Sequence, residues 1–251
     1  MKNAWVIITG AAQRMGREIA LSMAAEGWHV ILHCNRSLGQ AQQTAQAIQA
    51  LGVQCRVLQA DLSNSVELNN FFELASRCGP IRCLINNAAQ FEFDEPAQVN
   101  VELFHQHMAV NLLAPLLLTQ HLYSHVPEGE QAVVVHLLDQ KLDNLNPDFF
   151  SYTLSKAGLA AALKMQAMAL APRLRVVAVS PGLTLISHLQ TEQEFEKTHQ
   201  LALLKSSSQP KDISRAVLFL VNSSAITGVN LTVDGGQHLL PLSKDFSKLS
   251  V

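Results

Sequence analysis

Short runs of β-branched and aliphatic residues recur along the chain: AWVIITG (4–10), HVILHCN (29–35), QCRVLQADL (54–62), IRCLINNA (81–88), QAVVVHLL (131–138), LRVVAVSPG (174–182) and NLTVDGG (230–236). Between them lie segments with helical patterns, at 15–26, 38–51, 64–78, 98–125, 151–170 and 210–222. Strand and helix alternating in this way predict a parallel sheet, because parallel neighbours need crossovers of about this length, and the crossing helices cover both faces. The expected architecture is α/β: a single doubly wound Rossmann domain over residues 1–251, with a seven-stranded parallel sheet flanked by helices. The longest irregular segment, about 183–209, follows the sixth strand, where loops that close over a ligand belong in such sheets.

Composition fits this pattern and narrows the partners. Of the 251 residues 48% are hydrophobic and 15% charged, which is far from the balance of a disordered chain. A net charge of −2 without a basic block gives no footprint for nucleic acid or an anionic membrane. Apolar stretches such as MAVNLLAPLLL (108–118) are too short to span a bilayer, and MKNAWVIITG enters a strand without a leader pattern, so a cytoplasmic protein is expected. Cys34, Cys55, Cys78 and Cys83 show no C-x-x-C spacing and suit reduced, mostly buried thiols. His121 and His125 have the i, i+4 spacing of a metal pair but lack a third ligand or an H-E-x-x-H pattern, so no metal is expected. His136, inside a strand, reads as a core or edge residue.

Doubly wound sheets bind dinucleotides at the carboxyl ends of their strands. In ITGAAQRMGREIA, Gly10 ends the first strand while Arg14, Met15 and Gly16 open a helix whose unbonded N–H groups can hold a pyrophosphate. The spacing is T-G-x-x-x-R-x-G rather than G-x-G-x-x-G, and only its address, between first strand and first helix, raises it above an ordinary glycine turn. At the end of the second strand an acid would select NAD, but the run HCNRS places Asn35, Arg36 and Ser37 there, a cation and a hydroxyl suited to the 2′-phosphate of NADPH. A solvated surface arginine is the plainer alternative for Arg36. ADLS offers Asp61 and Leu62 beside the adenine, or a helix cap by Asp61 or Ser63.

Tyr152 and Lys156 stand four apart, one helical turn, within SYTLSK. Hydride transfer to a C=N or C=O bond needs a proton donor. An adjacent ammonium favours the phenolate, which moves a tyrosine toward working pH. Such a pair is often only two neighbours on a helix surface; joined to the phosphate turn it reads as a reductase site.

TGAAQRMG, HCNRS, ADLS, NNAAQF, Asn111, the Tyr152/Lys156 pair and SPGLT occur in an order and spacing that resemble the short-chain dehydrogenase/reductase superfamily, over about residues 4–238. Within it the chain is most similar to pteridine reductases and bacterial dihydromonapterin reductases. The resemblance rests on Arg14 in place of a glycine, Asp139 in place of the serine usual thirteen residues before the tyrosine, and Phe91 five residues after Asn86. It implies that Lys156 also bonds the nicotinamide ribose, that Asn87 and Ala88 line the nicotinamide, and that Pro181, Gly182 and Thr184 meet its carboxamide and the phosphates. It implies that Asn111 holds a backbone carbonyl or a relay water, unless it merely bends its helix. Phe91 would stack a flat heterocycle, the alternative being a core aromatic. Phe149 would supply a second aromatic, with loop packing the equal alternative. Asp139 can hold and pass a proton, its pKa raised in a partly closed apolar site, unless it is only a loop cap beside Asp143 and Asn144.

The expected activity is NADPH-dependent reduction of a pterin or dihydropterin, such as a dihydrobiopterin-, dihydromonapterin- or dihydrofolate-like ring, to the tetrahydro form. Arg14, Phe91, Asp139, Phe149 and Tyr152 would contact the substrate; Asp139, Tyr152, Lys156 and Asn111 would carry the catalysis. An NADPH-dependent carbonyl or 3-oxoacyl reductase is the alternative, and a non-catalytic nucleotide-binding protein the second alternative. The segments 98–125 and 151–170 are apolar on more than one face, which predicts pairing across a two-fold axis into a homodimer or, as in most of the superfamily, a homotetramer.

Overall fold

The computed structural model describes residues 4–186 and 191–248. Seven strands form one sheet in the order β3-β2-β1-β4-β5-β6-β7: β1 (Trp5–Ile8), β2 (His29–Cys34), β3 (Cys55–Gln59), β4 (Ile81–Asn86), β5 (Ala132–Leu137), β6 (Leu174–Pro181) and β7 (Asn230–Val233). Every pairing is parallel. The helices are α1 (Arg14–Ala25), α2 (Leu38–Gln49), α3 (Ser65–Ser76), α4 (Val101–His107), α5 (Ala114–His125), α6 (Phe150–Leu170), α7 (Glu192–His199) and α8 (Pro210–Asn222).

The apolar runs are explained by two cores rather than one. Val6, Ile8, Val30, Leu32, Ile85 and Val135 face α1, α2 and α8 on one side, while Trp5, Ile7, Ile31, Leu84 and Val134 face α3, α5 and α6 on the other. Alternate side chains point to opposite faces, so a strand covered on both must be apolar throughout. Each fully buried aliphatic side chain contributes roughly 1.5–3 kcal/mol. β1 lies between β2 and β4, so the winding reverses at its carboxyl end and opens a crevice there.

Two segments differ from the sequence reading. The helix expected over 98–125 is divided: α4 passes through a π-helical turn, Met108–Leu113, into α5. Pro115 is the physical reason, since it has no N–H to give the carbonyl of Asn111 four residues earlier. The expected loop 183–209 contains α7, opened by a capping box in which Glu194 N donates to Thr191 Oγ1 and Glu194 reaches back to Thr191 N; residues 187–190 lie outside the described ones. No helix among the described residues is long and apolar enough to cross a membrane. All four cysteines are free thiols. His121 and His125 pack against Phe72, and His121 Nε2 bonds Asn69 Oδ1 at 2.8 Å.

Two histidines are built into the sheet. His33 Nδ1 accepts from Gly10 N at 3.0 Å, and its Nε2 donates to Ala60 O. His136 joins Asn86 Nδ2 at 3.1 Å and Gln166 Oε1 at 3.0 Å. Burial pushes both pKa values down, to about 4. The unfolded chain, with histidines near 6.5, therefore binds more protons than the fold between these values, and stability falls as pH drops below about 6.5. Each histidine contributes a slope of up to about 1.4 kcal/mol per pH unit in that window. Urea denaturation between pH 7.5 and pH 4.5 checks this: His136→Gln is expected to have a shallower pH dependence than the unmodified protein, and equal slopes would refute it.

Candidate active site

The crevice at the ends of β1 and β4 continues into three adjoining cavities. One, about 300 Å³, is lined by Arg14, Met15, Asn87, Phe91, Asp139, Gln140, Tyr152, Lys156, Pro181, Gly182, Thr184, Asp245 and Phe246. The next, about 360 Å³, shares Arg14, Met15 and Asn87 with it and adds Gly10, Gly16, His33, Asn35, Asp61, Leu62 and Ala88. Arg36 and Ser37 line the outermost. Residues from both halves of the chain thus fall along one channel.

Its first section is set by close backbone packing. Gly10 adopts φ +63 against Ala88, and a Cβ on Gly16 would come within 2.2 Å of Gly10 O and 2.6 Å of Asn87 Nδ2. Asn87 Nδ2 donates to Thr9 O and Gly10 O, while Thr9 Oγ1 accepts from Asn87 N and Ala88 N, both at 3.0 Å. The turn and the end of β4 are thereby tied together. Gln13, which precedes α1, makes no side-chain cap, leaving the first amides of that helix toward the channel. These features fit a dinucleotide pyrophosphate: a glycine-tight turn, an uncapped helix start, and Arg36 with Ser37 at the far end. Sequence reading missed His33, which occupies the Gly10 amide; its signal is a histidine ending a strand beside the glycine turn.

The acidic end of the second section differs from the sequence expectation at two points. Asp61, at the end of β3, lies within electrostatic reach of Arg36, so an acid does stand near that cation. Its Oδ1 accepts from Ser63 N and Ser63 Oγ, and the resulting turn, helped by the charge of Arg36, holds its pKa down. The cap of α3 is Asn64, not Asp61 or Ser63, with its Oδ1 accepting from Val66 N and Glu67 N.

At the deep end, β5 delivers Asp139 and α6 delivers Tyr152 and Lys156. α6 has no local cap: Phe149 before it has φ 53, a left-handed conformation unusual for a bulky residue, and Asp94 from the loop after β4 accepts from Ser151 N at 2.9 Å instead. Ser151 Oγ is 2.6 Å from His107 Nδ1. This fixes the first turn of α6 so that Tyr152 Oη donates to Asp139 Oδ2 at 2.7 Å. Asp139 Oδ1 accepts from Lys141 N at 2.9 Å, so the loop-cap reading and the pairing with Tyr152 hold together in one carboxylate, one oxygen for each. Lys156 Nζ donates to Leu137 O at 2.6 Å.

Burial dominates the electrostatics here. It raises the pKa of Asp139, with the negative charge of Asp245 adding to it. It lowers Lys156 to about 8. Tyr152 moves well above its ordinary value, through burial and then the neighbouring charge of Asp139. The sequence argument that Lys156 draws Tyr152 toward a phenolate is therefore reversed: burial, and a carboxylate that accepts the phenol's hydrogen bond, outweigh a lysine whose ammonium is spent on a carbonyl.

Three other residues have places of their own. Phe91 lines the cavity, stacked on Phe149 at 4.2 Å between ring centroids and edge-on to Tyr152 at 4.8 Å. Phe149 is fully buried behind Phe91 and does not line the channel, so its part is packing. Asn111, in the π-helical turn, also lies off the channel: its Oδ1 accepts from Gln90 N and its Nδ2 donates to Gln90 O and Ser155 Oγ, which pins the segment carrying Phe91. Arg14 has φ 55 and donates to Ile186 O at 2.7 Å, a strained residue at the cavity mouth. Asp245 and Phe246 were unforeseen; no local motif marks residues a hundred positions from their partners.

Comparison with known proteins follows this geometry. A family profile described as enoyl-(acyl carrier protein) reductase matches residues 10–238. A crystal structure of FolM alternative dihydrofolate reductase 1 from Brucella canis, complexed with NADP, is 39% identical, covers 95% of each chain and superposes with a TM-score of 0.91. An uncharacterized oxidoreductase of Methylorubrum extorquens is 32% identical over 92% of this chain and 96% of its own length. The dihydromonapterin reductase of Klebsiella pneumoniae is 26% identical over 93% of this chain and 96% of its own. With the parallel seven-stranded sheet, the glycine turn at its switch point and the Tyr152/Lys156 pair, these matches show that the chain belongs to the short-chain dehydrogenase/reductase superfamily of oxidoreductases.

Proposed function

We propose that the protein is an NADPH-dependent reductase of a pterin or dihydropterin, acting in the cytoplasm, where free thiols such as its four cysteines persist. The observation that carries this reading is the part-buried 2.7 Å hydrogen bond from Tyr152 Oη to Asp139 Oδ2 in the cavity lining. A ketone reductase needs only a neutral hydroxyl beside its tyrosine; a buried carboxyl with a raised pKa is a proton store, suited to a substrate whose ring nitrogen must be protonated. Phe91 offers a flat face for the ring and Arg14 a cation at its edge. The reductases from Brucella canis and Klebsiella pneumoniae support the same substrate class by their names.

Gly10, Arg14, Met15, Gly16, Asn35, Arg36, Ser37, Asp61, Leu62, Asn87, Ala88, Pro181, Gly182 and Thr184 would hold the cofactor along the channel. When bound, NADPH supplies the hydride. Lys156, fixed on Leu137 O, presents a positive charge beneath the site, and the proton moves from the Asp139 Oδ2 and Tyr152 Oη pair to the ring nitrogen. Asn111 keeps Phe91 in place rather than touching the substrate.

Four measurements test this. NADPH consumption with dihydropterins, dihydrofolate and a panel of ketones and 3-oxoacyl thioesters is expected to favour a dihydropterin; faster turnover of a ketone or thioester would give the site to carbonyl reduction. Asp139→Ser and Tyr152→Phe should each slow the pterin reaction by about 10²-fold or more, with a double loss less than additive and NADPH affinity unchanged. Arg36→Asp should erase a preference for NADPH over NADH of at least about tenfold, the value of one charge-assisted contact of roughly 1.5–3 kcal/mol. Light scattering is expected to give a dimer or tetramer, since Leu113, Leu154, Met165 and Met168 leave apolar surface on and beside α6 exposed; a monodisperse monomer would refute the pairing.

A further inference from the structure

The last described segment of the chain, residues 240–248, crosses the substrate end of the cavity as a strap. Four contacts fasten it to the loops after β4 and β5. Asn144 Nδ2 donates to Leu240 O, and Asp245 N donates to Asp148 Oδ2 at 2.8 Å. Lys141 Nζ meets Asp245 Oδ2 at 3.0 Å, and Lys248 Nζ lies 3.6 Å above the Phe93 ring. Phe246 is buried and lines the cavity with Asp245.

Surface tails are not built like this. The Lys141 side chain is 3% exposed and that of Asp245 15%, so the pair is withdrawn from water, an arrangement that carries a desolvation penalty and needs close partners. Lys141 has them: its ammonium also donates to Asn146 Oδ1 and sits 5.5 Å from the Phe149 ring centre. The same residue, through its backbone N, holds Asp139 Oδ1. One lysine therefore grips the acid with its backbone and the strap with its side chain.

We propose that the C-terminal strap is a working part of the site, with Asp245, clasped by Lys141, acting as a positioning residue for Asp139. This rests on reading Asp139 as the proton donor. The charged and titratable groups facing Asp139 are Tyr152 and Lys156 from α6, Lys141 from its own turn, Arg14 across the cavity and Asp245 from the strap. Among them Asp245 is the one other carboxylate. Its charge disfavours ionisation of Asp139, in the same direction as burial, while Lys156 opposes it. Lys141 Nζ, 3.0 Å from Asp245 Oδ2, fixes that carboxylate beside the cavity, so the strap places a second acid where it favours the protonated form of Asp139.

The test does not depend on which substrate is reduced. Infrared difference spectra of the cofactor-free protein, unmodified minus Asp139→Asn, isolate the stretch of the protonated Asp139 carboxyl, and its loss with rising pH gives the titration. Asp245→Asn, measured against Asp139→Asn/Asp245→Asn, should lose that band at lower pH, while Asp245→Glu should keep it near the original position. Lys141→Gln/Asp245→Asn removes both charges of the clasp and leaves a neutral hydrogen-bonding pair, so it carries the test should Asp245→Asn alone not fold. With whichever substrate the unmodified enzyme turns over, the alkaline limb of kcat should shift down in the same variants, with NADPH affinity changed less than about twofold. A band that titrates at the original pH in the folded variants would overturn the proposal. Absence of pterin turnover, with the band still shifted by Asp245→Asn, would refute the substrate reading and leave the role of the strap standing.

Discussion

Covering both faces of a parallel sheet dictates where chemistry can occur in this molecule. Strand side chains alternate between two helical layers, so those facing the layers must be apolar or fully paired, as His136 is between Asn86 and Gln166. Polar groups that work on a ligand are left with the strand ends. β1, β4, β5 and β6 finish at the same level, and Gly10, Asn87, Asp139 and Pro181 emerge there as neighbours from positions across nearly the whole chain. The winding reverses between β1 and β4, so the adjoining helices part at that edge and leave room for a ligand.

Within the crevice the governing quantity is desolvation. Asp139, Tyr152 and Lys156 are buried within a few ångströms of one another, and in each case burial is the largest cause of the shift. Burial favours the neutral form of every group, so it sets Asp139 and Tyr152 toward holding protons and Lys156 toward releasing one. Hydrogen bonds then decide the details. A serine in place of Asp139 could satisfy Tyr152 but could not hold and pass on a proton as a carboxyl with a raised pKa can.

Backbone strain marks the two walls of the cavity. Arg14 and Phe149 both adopt left-handed φ without being glycine, and each is held by more than its own segment. Arg14 is anchored by Ile186 and Phe149 by the stack on Phe91. Conformations of this kind persist where surrounding contacts over-determine them, and both serve to fix a side chain at the rim or behind the ring-facing wall.

Much of this was legible in the sequence because its signals are local. Apolar runs with helical segments between them specify a parallel sheet; a glycine turn after the first strand and a Tyr/Lys pair one turn apart specify their own geometry within a few residues. Asp139 stood out because its offset from Tyr152 is fixed by one loop between β5 and α6. Even the capping box of α7 was there to be read in Thr191 and Glu194. What the local pattern does not contain is the environment: that Phe149 lies behind Phe91, that Asn111 grips Gln90, and that Lys141 meets Asp245 from 104 positions away. Nor does it contain the direction in which Tyr152 is shifted, because desolvation is summed over every atom packed around the group. The sequence by itself determined the sheet, the address of the crevice and the residue types that reach it; only the tertiary structure decided which of them face the ligand and which proton each one keeps, since burial and long-range pairing exist only once distant segments have been brought together.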